Sequence, residues 1–345
     1  MRNIMKISVV YCLFMAFLLS GCSKQDTKVV NVLNWSSYIP DSVIRSFEKE
    51  TGIQVNYSTY SSNEECLAKV SSAKKGTYDL IFPSDYMIEI MIKREMLELL
   101  DQTQLQNVGN LDTFYLNQSF DPGNRYSLPF VMASTVIAVN RDYISDEITS
   151  YQDLLNEKYY NNITLIDDQR IIIGMALLAN GYDMNTTDEE ALEVAKDWLL
   201  QLKPNIKAFD SDSPKNFLIT EEADIAVLWN AEAALAYQEN NNIEFIYPKG
   251  GSALSMDNFA IPKGAKHQSE AYQFIDYILR ADVMKKIIES YSYKNVNQAT
   301  QTLLGTDYLY NIASNIPASI IESGFYVENI GESVKLYDKL WAEIK

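Results

Sequence analysis

Apolar and polar residues in the first part of the chain alternate as expected for short strands separated by amphipathic helices. A first apolar run spans residues 29–33, and a helical pattern begins at Pro40 with its apolar positions on one face. Proline suits the first position of a helix, and Gly52 supplies its end. Strict alternation over residues 53–57 predicts a half-buried strand, and an apolar run at 78–82 predicts a buried one. This order predicts βαβ units and a mostly parallel sheet, with ligand sites beyond the strand ends.

The second part of the chain continues the alternation of strands and helices. The predicted strands are residues 135–139, 163–166, 224–228, 243–246 and 256–262. A helix is predicted at residues 189–202, and an apolar stripe predicts another at 271–279. A chain of this length can bury two cores, because single cores stop growing at about 250 to 300 residues. The sequence contains no internal repeat and no low-complexity linker, so we expect one α/β protein of two lobes joined by several β crossings.

The N-terminus has the features of an export signal. Basic residues precede a mostly apolar run at residues 7–19, which is too short to span a bilayer comfortably, and Cys22 follows small residues directly. This arrangement resembles the lipobox of bacterial lipoproteins. It implies that residues 1–21 are a signal peptide, that Cys22 is lipidated, and that residues 22–28 link the anchor to the fold. An ordinary secretory signal with a chance cysteine is the alternative.

Charge and cysteine content narrow the classes of function. The sequence has 46 acidic and 29 basic residues, a formal net charge of −17, which argues against a nucleic-acid partner and attracts cations over a distance. Solubility alone is the simpler explanation of most of these charges. With Cys12 in the predicted signal peptide and Cys22 lipidated, Cys66 has no partner for an intramolecular disulfide. Cys66 lies on a helical apolar stripe and is predicted to be a core residue.

The sequence offers few residues for acid–base or metal chemistry. His267 is the only histidine and, because its neighbours are polar, it is predicted to be solvated. A single histidine argues against histidine-based catalytic triads and zinc sites. The sequence contains no glycine-rich phosphate loop and no Cys-x-x-Cys pair. We therefore expect no catalytic residue, no metal site and no cofactor. A hydrolase that uses two carboxylates stays open, because acidic residues are numerous.

Aromatic residues and aspartates occur together near the ends of predicted strands. They are Trp35, Tyr38, Tyr86 and Trp229, with Asp85, Asp168 and Asp257. Strand ends in such folds face a cleft. Packing explains each aromatic residue alone, and a turn or helix cap explains each aspartate alone. Together they suit an organic ammonium, through cation–π attraction of about 0.5 to 2 kcal/mol per ring and charged hydrogen bonds of roughly 1.5 to 3 kcal/mol.

Several stretches of the chain form a set that is specific to one family. They are Asn34-Trp35 through Tyr38, residues 50–53, 78–80, 83–86, 120–122, 126–130, Asp167-Asp168, 209–212, Trp229-Asn230 and 256–262. With them, the chain resembles the spermidine/putrescine-binding proteins of bacterial ABC transporters over roughly residues 29–345. The resemblance implies a two-lobed α/β fold of the periplasmic-binding-protein kind, type II-like, that closes over ligand like a hinged clamp.

The resemblance also implies where the lobes begin and end. Lobe 1 would be residues 29–133 with 257–301, and lobe 2 residues 134–256 with 302–345. The crossings would lie near residues 130–140 and 250–262, and the C-terminal segment would pack back on lobe 2. The ligand cleft would lie between the lobes.

The family's polyamine-binding positions correspond to a defined set in this chain. By resemblance they are Trp35, Tyr38, Ser84, Tyr86, Asp168, Trp229, Asp257 and Tyr293. We add Ser36, which lies between Trp35 and Tyr38, and Asp85, where relatives often carry an uncharged residue. Asp257 and Asp168 would pair with ammonium groups, while the aromatic side chains would flank the methylene chain.

Four positions depart from the family pattern. Ser37 and Ile171 stand where the family often has an acid. Ser255 and Val327 stand where it has an aromatic residue and an amide. Two expected carboxylates are thus missing, which would leave an ammonium unpaired on closure at a cost of about a few kcal/mol, although Asp85 could partly compensate. The expected ligand is therefore a polyamine with an altered length preference.

These observations predict a lipid-anchored, monomeric polyamine-binding component of an ABC importer, held in the periplasm or at the cell surface. It would bind putrescine or spermidine and deliver it to permease and ATPase subunits, without covalent chemistry. Two other binding roles stay open: a site retuned for another organic cation or amine, and a polyamine sensor.

Overall fold

A computed structural model describes residues 28–211 and 213–345. Cys22 and the rest of the predicted export signal lie outside these residues. The described strands are β1 (Val29–Trp35), β2 (Gln54–Tyr60), β3 (Leu80–Ile81), β4 (Ser127–Asn140), β5 (Ile163–Leu165), β6 (Ile206–Phe209), β7 (Ile225–Trp229), β8 (Ile243–Ile246), β9 (Ala253–Ala260), β10 (Lys294–Asn295) and β11 (Phe325–Tyr326).

Helices alternate with these strands and cover them. The described helices are α1 (Asp41–Thr51), α2 (Asn63–Ser72), α3 (Asp85–Lys93), α4 (Gln169–Ala179), α5 (Glu189–Leu202), α6 (Lys215–Ile219), α7 (Asn230–Glu239), α8 (Gln268–Ile278), α9 (Ala281–Tyr291), α10 (Gln298–Gln301), α11 (Thr306–Tyr310), α12 (Ala318–Ser323) and α13 (Val334–Ile344). None of the helices in this part of the chain has the length and apolarity needed to cross a membrane.

The strands form a mixed sheet in the order β2-β1-β3-β9-β4-β7-β5-β6. Within each half the predicted parallel pairing is right: β1 lies parallel to β2 and β3, and β5 parallel to β6 and β7. The prediction of a mostly parallel sheet is wrong for its centre, where β4 is antiparallel to β7, β8 and β9. Strand β4 leaves the half of the sheet that contains β1, and β9 returns to it, so these two strands run in opposite directions.

Strand β4 joins the two halves. Its first part pairs with β9 as far as Ser134, and its second part, from Thr135, pairs with β7 and β8. The register shifts between Pro129 and Val131, as expected where a proline cannot donate to the ladder. Every residue of β4 is buried, so it lacks the alternation that a half-exposed strand would show. Strands β4 and β9 include much of the two ranges, 130–140 and 250–262, in which the crossings were predicted.

Local sequence signals predicted the bounds of the helices closely. Helix α5 has the predicted bounds, and α1 ends at Gly52, whose φ of 71° lies in the left-handed region that favours glycine. Pro40 is the residue before α1 rather than its first residue. The strand predicted at residues 78–82 is shorter, because only Leu80 and Ile81 pair.

The C-terminal helix α13 packs against α4 and α5. The preceding segment has different neighbours. The hydroxyl of Tyr308 donates to the carbonyl of Tyr293 at 3.0 Å and accepts from the Asn295 amide at 2.8 Å. Leu304, Tyr308, Ile316 and Ile321 thus join a core cluster formed mainly by residues from 30–132 and 254–296.

Cys66 is fully buried and free, consistent with a core residue. Burial raises the pKa of its thiol to about 12, so the reactive thiolate is suppressed. The side chain of His267 is 34% exposed, so it is partly solvated, and its Nδ1 also lies 2.9 Å from Oδ2 of Asp79. Burial alone would raise the pKa of Asp79, but hydrogen bonds from Asn31 and His267 outweigh burial and lower it.

Candidate functional site

The ends of several elements meet around a narrow cavity of about 90 Å³. The predicted site residues that line it are Trp35, Ser36, Tyr38, Ser84, Tyr86, Asp168, Trp229, Asp257 and Tyr293. Two of them, Trp35 and Trp229, are the last residues of β1 and β7, and two others, Ser84 and Asp168, directly precede α3 and α4. The fold thus gathers at one cleft the strand ends and helix starts that the sequence pattern singled out.

One wall of the cavity is aromatic. The Trp35 and Tyr38 rings stack with centroids 6.0 Å apart and planes 27° apart, and the Tyr38 and Tyr293 rings are 4.6 Å apart. Trp35 is held in place by a 2.9 Å hydrogen bond from its Nε1 to the carbonyl of Phe82. Ring faces fixed in this way attract a cation and cover a methylene chain.

Asp257 supplies a buried carboxylate beside this wall. Tyr38 donates its hydroxyl to Oδ2 and Ser84 donates its hydroxyl to Oδ1, both at 2.6 Å. Burial raises the pKa of Asp257 to about 6, although these two hydrogen bonds oppose the shift. In the part of the chain that the structure describes, this desolvated carboxylate forms no ion pair with a lysine or arginine, and a ligand ammonium would stabilise it.

Asp168 supplies a second carboxylate and also caps α4. Its Oδ1 accepts from the amides of Arg170 at 2.8 Å and Ile171 at 3.1 Å. Among the described residues none donates a hydrogen bond to Oδ2. Burial, with a contribution from the nearby charge of Glu64, raises the pKa of Asp168 to about 6. One oxygen is therefore committed to the helix, and the other can accept from a ligand.

Asp85 is the one predicted site residue that does not line this cavity. It is only 3% exposed, and its carboxylate accepts from the amides of Tyr86 and Met256 at 2.8 and 3.2 Å. Burial raises its pKa to about 8. It faces a neighbouring cavity of about 330 Å³, separated from the first by Tyr86 and Val327, which line both. Both oxygens of Asp85 thus bond to backbone.

Several cavity residues were not predicted from the sequence. They are Ser61, Asn63, Ala133, Ile166, Arg170, Ser211 and Glu232. Glu232 is the most consequential because it adds a carboxylate, and its position three residues after Trp229 on α7 is a signal that could have found it. Arg170 is 5% exposed and turns its guanidinium away, donating to the Glu328 carbonyl and to Asn185 Oδ1.

The four positions that depart from the family pattern all line the cavity: Ser37, Ile171, Ser255 and Val327. Ser37 has a φ of 55° in the turn between Trp35 and Tyr38. Ile171, Ser255 and Val327 are each at most 9% exposed. Their small or apolar side chains leave the wall without the charges and amide that the family pattern would place there.

The described residues contain no group of three or more histidine, cysteine, aspartate or glutamate side chains placed to hold a metal ion. What the cavity offers instead is a set of aromatic faces, hydroxyl groups and buried carboxylates. Such a set suits binding of a small, elongated cation.

Sequence comparison agrees with this geometry. The profile of the bacterial extracellular solute-binding proteins matches residues 42–307. The chain is 37% identical over 332 residues to the spermidine/putrescine-binding periplasmic protein of Salmonella typhimurium, which covers 96% of this chain and 95% of that protein.

Solved structures show similarity to the same kind of protein. The spermidine/putrescine ABC transporter substrate-binding protein PotD of Streptococcus pneumoniae is 31% identical, with a TM-score of 0.80 over 92% of this chain and 98% of that one. The TpPotD lipoprotein of Treponema pallidum is 26% identical, with a TM-score of 0.84 over 92% of this chain and 99% of that one. From the profile match, the full-length identity and the shared two-lobed α/β fold, this chain belongs to the bacterial extracellular solute-binding proteins.

Proposed function

We propose that this protein binds a small polyamine, putrescine or spermidine, outside the cytoplasmic membrane and presents it to the permease and ATPase subunits of an ABC importer. The observation that carries the proposal is the pair of buried carboxylates, Asp257 and Asp168, in a cavity walled by aromatic rings. The names of the Salmonella and Streptococcus relatives support the same ligand class.

Polyamine binding uses each feature of the cavity. Ammonium groups pair with Asp257 and with the free oxygen of Asp168, while Trp35, Trp229 and the tyrosines flank the methylenes. Each charged hydrogen bond is worth roughly 1.5 to 3 kcal/mol, and each cation–π contact about 0.5 to 2 kcal/mol. Because these contacts are non-covalent, we propose a binding protein without catalysis.

Ligand capture in this proposal is a hinge closure. Lobe 1 (residues 29–133 and 257–301) carries Asp257 and the Trp35 wall, and lobe 2 (residues 134–256 and 302–345) carries Asp168 and Trp229. Contacts to both lobes stabilise the closed form and shift the population toward it. The pairing of Thr135 with Trp229 lies where β4 passes between the lobes, close to the cavity.

We also propose that the protein acts as a monomer, held at the periplasmic or outer cell surface by acyl chains on Cys22. The Treponema relative is itself named a lipoprotein. Metabolic labelling with a fatty acid should mark the wild-type protein, and Cys22→Ala should lose the label and appear in the soluble fraction. An unlabelled, soluble wild-type protein would support the ordinary secretory signal instead.

The ligand is tested by calorimetric titration of the full-length protein, purified in mild detergent, with putrescine, cadaverine, spermidine and spermine. Saturable binding should weaken by about tenfold or more in Asp257→Asn and in Trp229→Ala, which remove a charged hydrogen bond and an aromatic wall. Asp197→Asn is the matched control, because it removes an exposed charge on α5 outside the cavity. A folded wild-type protein that gives no heat with any polyamine would overturn the assignment.

A further inference from the structure

The third carboxylate of the cavity is already paired with a cation from the protein itself. Glu232 lines the cavity together with Asp168 and Asp257. The Nζ atom of Lys215 lies 2.7 Å from Oε2 of Glu232, and the two side chains are only 22% and 16% exposed. An ion pair this shielded from water is weakly screened by salt. The charge of Glu232 is therefore largely neutralised before any ligand arrives.

Lys215 reaches Glu232 from a segment that belongs to the site. It is the first residue of α6 and follows Ser211, which lines the cavity, by four positions. Among the described residues, Glu232 is its only ion-pair partner. Burial raises the pKa of Glu232, Lys215 opposes this shift, and the charge of Asp210 adds to it. The ammonium of Lys215 thus stabilises an acid that burial would otherwise neutralise.

In the described part of the chain, Arg170 is a second buried cationic residue at the cavity, and its side chain does not pair with a cavity carboxylate. Arg170 lines the cavity, yet its guanidinium donates to the Glu328 carbonyl and to Asn185 Oδ1 and lies over the Tyr337 ring. Its backbone amide, rather than its side chain, bonds to Asp168. Asp168 and Asp257 therefore remain the cavity carboxylates that no lysine or arginine side chain pairs with in the described structure.

We propose that Lys215 is a specificity-determining residue, whose ammonium holds the place at Glu232 that the third ammonium of a triamine would need. The inference rests on the proposed polyamine binding. Two unpaired carboxylates match the two charges of a diamine such as putrescine. A triamine must either displace Lys215 from its buried partner or enter with one ammonium unpaired, and both are costly. A diamine requires neither.

The test compares putrescine with spermidine by titration of the full-length protein carrying Lys215→Met. Freeing Glu232 should improve spermidine binding by about tenfold or more relative to putrescine, the value of one charged hydrogen bond. Lys215→Gln serves as a second variant, and thermal unfolding verifies that each is folded. Lys263→Met, which removes the same charge from a pair with Glu98 outside the cavity, should leave the ratio unchanged.

A double variant separates the local contact from the general gain in negative charge. Lys215→Met combined with Glu232→Gln has the same net charge as the wild type and should return the spermidine-to-putrescine ratio toward the wild-type value. The inference is overturned if the wild type prefers spermidine, if the ratio stays unchanged in both folded Lys215 variants, or if the double variant keeps the gain. A wild type that binds no polyamine would overturn the proposed function itself.

Discussion

Asp257 and Asp168 are carboxylates whose pKa values burial raises to about 6, against about 3.9 for an ordinary aspartate. A raised pKa means that the charged form costs stability in the empty protein. The contribution of each group to stability is present below pH 4 and is lost as pH rises through 6. An ammonium ligand reverses this preference, since it stabilises the charged form and lowers both pKa values.

Polyamine binding should therefore release protons and strengthen as pH rises from about 5 to about 7. Above that range both aspartates are already charged, so the affinity should level off. Titrations in buffers with different ionisation enthalpies would measure the proton release directly.

Asp257→Asn provides the control, because it removes one of the two titrating groups and should flatten part of the pH dependence. Asp85, whose pKa is about 8, affects the stability of the empty protein but lies outside the cavity. An affinity that is constant between pH 5 and 7 would show that the two carboxylates do not meet the ligand's charges.

Single residues also show what the sequence could predict and what it could not. Trp35 and Trp229 were found because they lie at strand ends, where topology predicts a cleft. Asp257 was predicted near the start of a strand but lies within β9. Glu232 was missed because it lies within a helix, where a glutamate is ordinarily a solvated residue. Asp85 was included because it follows a predicted strand and could replace a missing carboxylate, but its side chain diverges from that of Tyr86 and bonds to the Met256 amide instead. The side chains of residues adjacent in sequence need not point in the same direction.

Helix α4 begins at the site, and its first turn depends on a residue that the ligand also needs. Asp168 caps α4 through the amides of Arg170 and Ile171. Asp168→Asn keeps a capping oxygen but removes the charge, so affinity should fall by about tenfold or more while stability is kept. Asp168→Ala removes both and should cost about 0.5 to 2 kcal/mol of unfolding free energy relative to the asparagine variant. Denaturant unfolding and titration measure the two effects separately.

Helix α5 offers a matched cap away from the cavity. Asp188 accepts from the Ala191 amide at 2.9 Å, so Asp188→Ala should lower stability to a similar degree without changing ligand affinity. Equal affinities for Asp168→Asn and the wild type would mean that Asp168 is only a helix cap, the simpler explanation that its sequence position allows.

Element boundaries followed local signals where such signals exist. Helices α1 and α5 end close to their predicted bounds because local signals fix them. Gly52 directly follows α1, and periodic apolar residues run through α5. The length of β4 and the shortness of β3 depend on partners more than 100 residues away, Asp257 with Val131 and Ala260 with Ile81. The pairing of His267 with Asp79 is equally remote in sequence.

At the scale of the whole molecule, the alternation of strands and helices was enough to predict two α/β units. The same pattern did not predict how the two units are joined. The joining strands are antiparallel and fully buried, so they have no period that marks them. The predicted crossings came from resemblance to a family. Leu304 and Tyr308, which the resemblance assigns to lobe 2, pack in a core cluster with lobe 1 residues such as Val30 and Phe274, so the lobe boundaries stay a proposal.

The net charge of −17 leads to a prediction about the rate of ligand capture. A strongly acidic surface draws cations toward the cleft over a distance set by the Debye length, which falls from about 30 Å at 0.01 M salt to about 3 Å at 1 M. The association rate constant for putrescine should therefore fall several-fold across that range. Stopped-flow tryptophan fluorescence can follow it, because Trp35 and Trp229 line the cavity.

The dissociation rate constant is the internal control for this experiment. It depends on contacts inside the closed cavity, where buried charge pairs are screened much less, and should change little with salt. If both rate constants were independent of ionic strength, the acidic surface would serve solubility alone, and the encounter would depend only on the cavity. A salt dependence confined to association would mean that the whole molecule gathers the ligand, while Asp257 and Asp168 retain it.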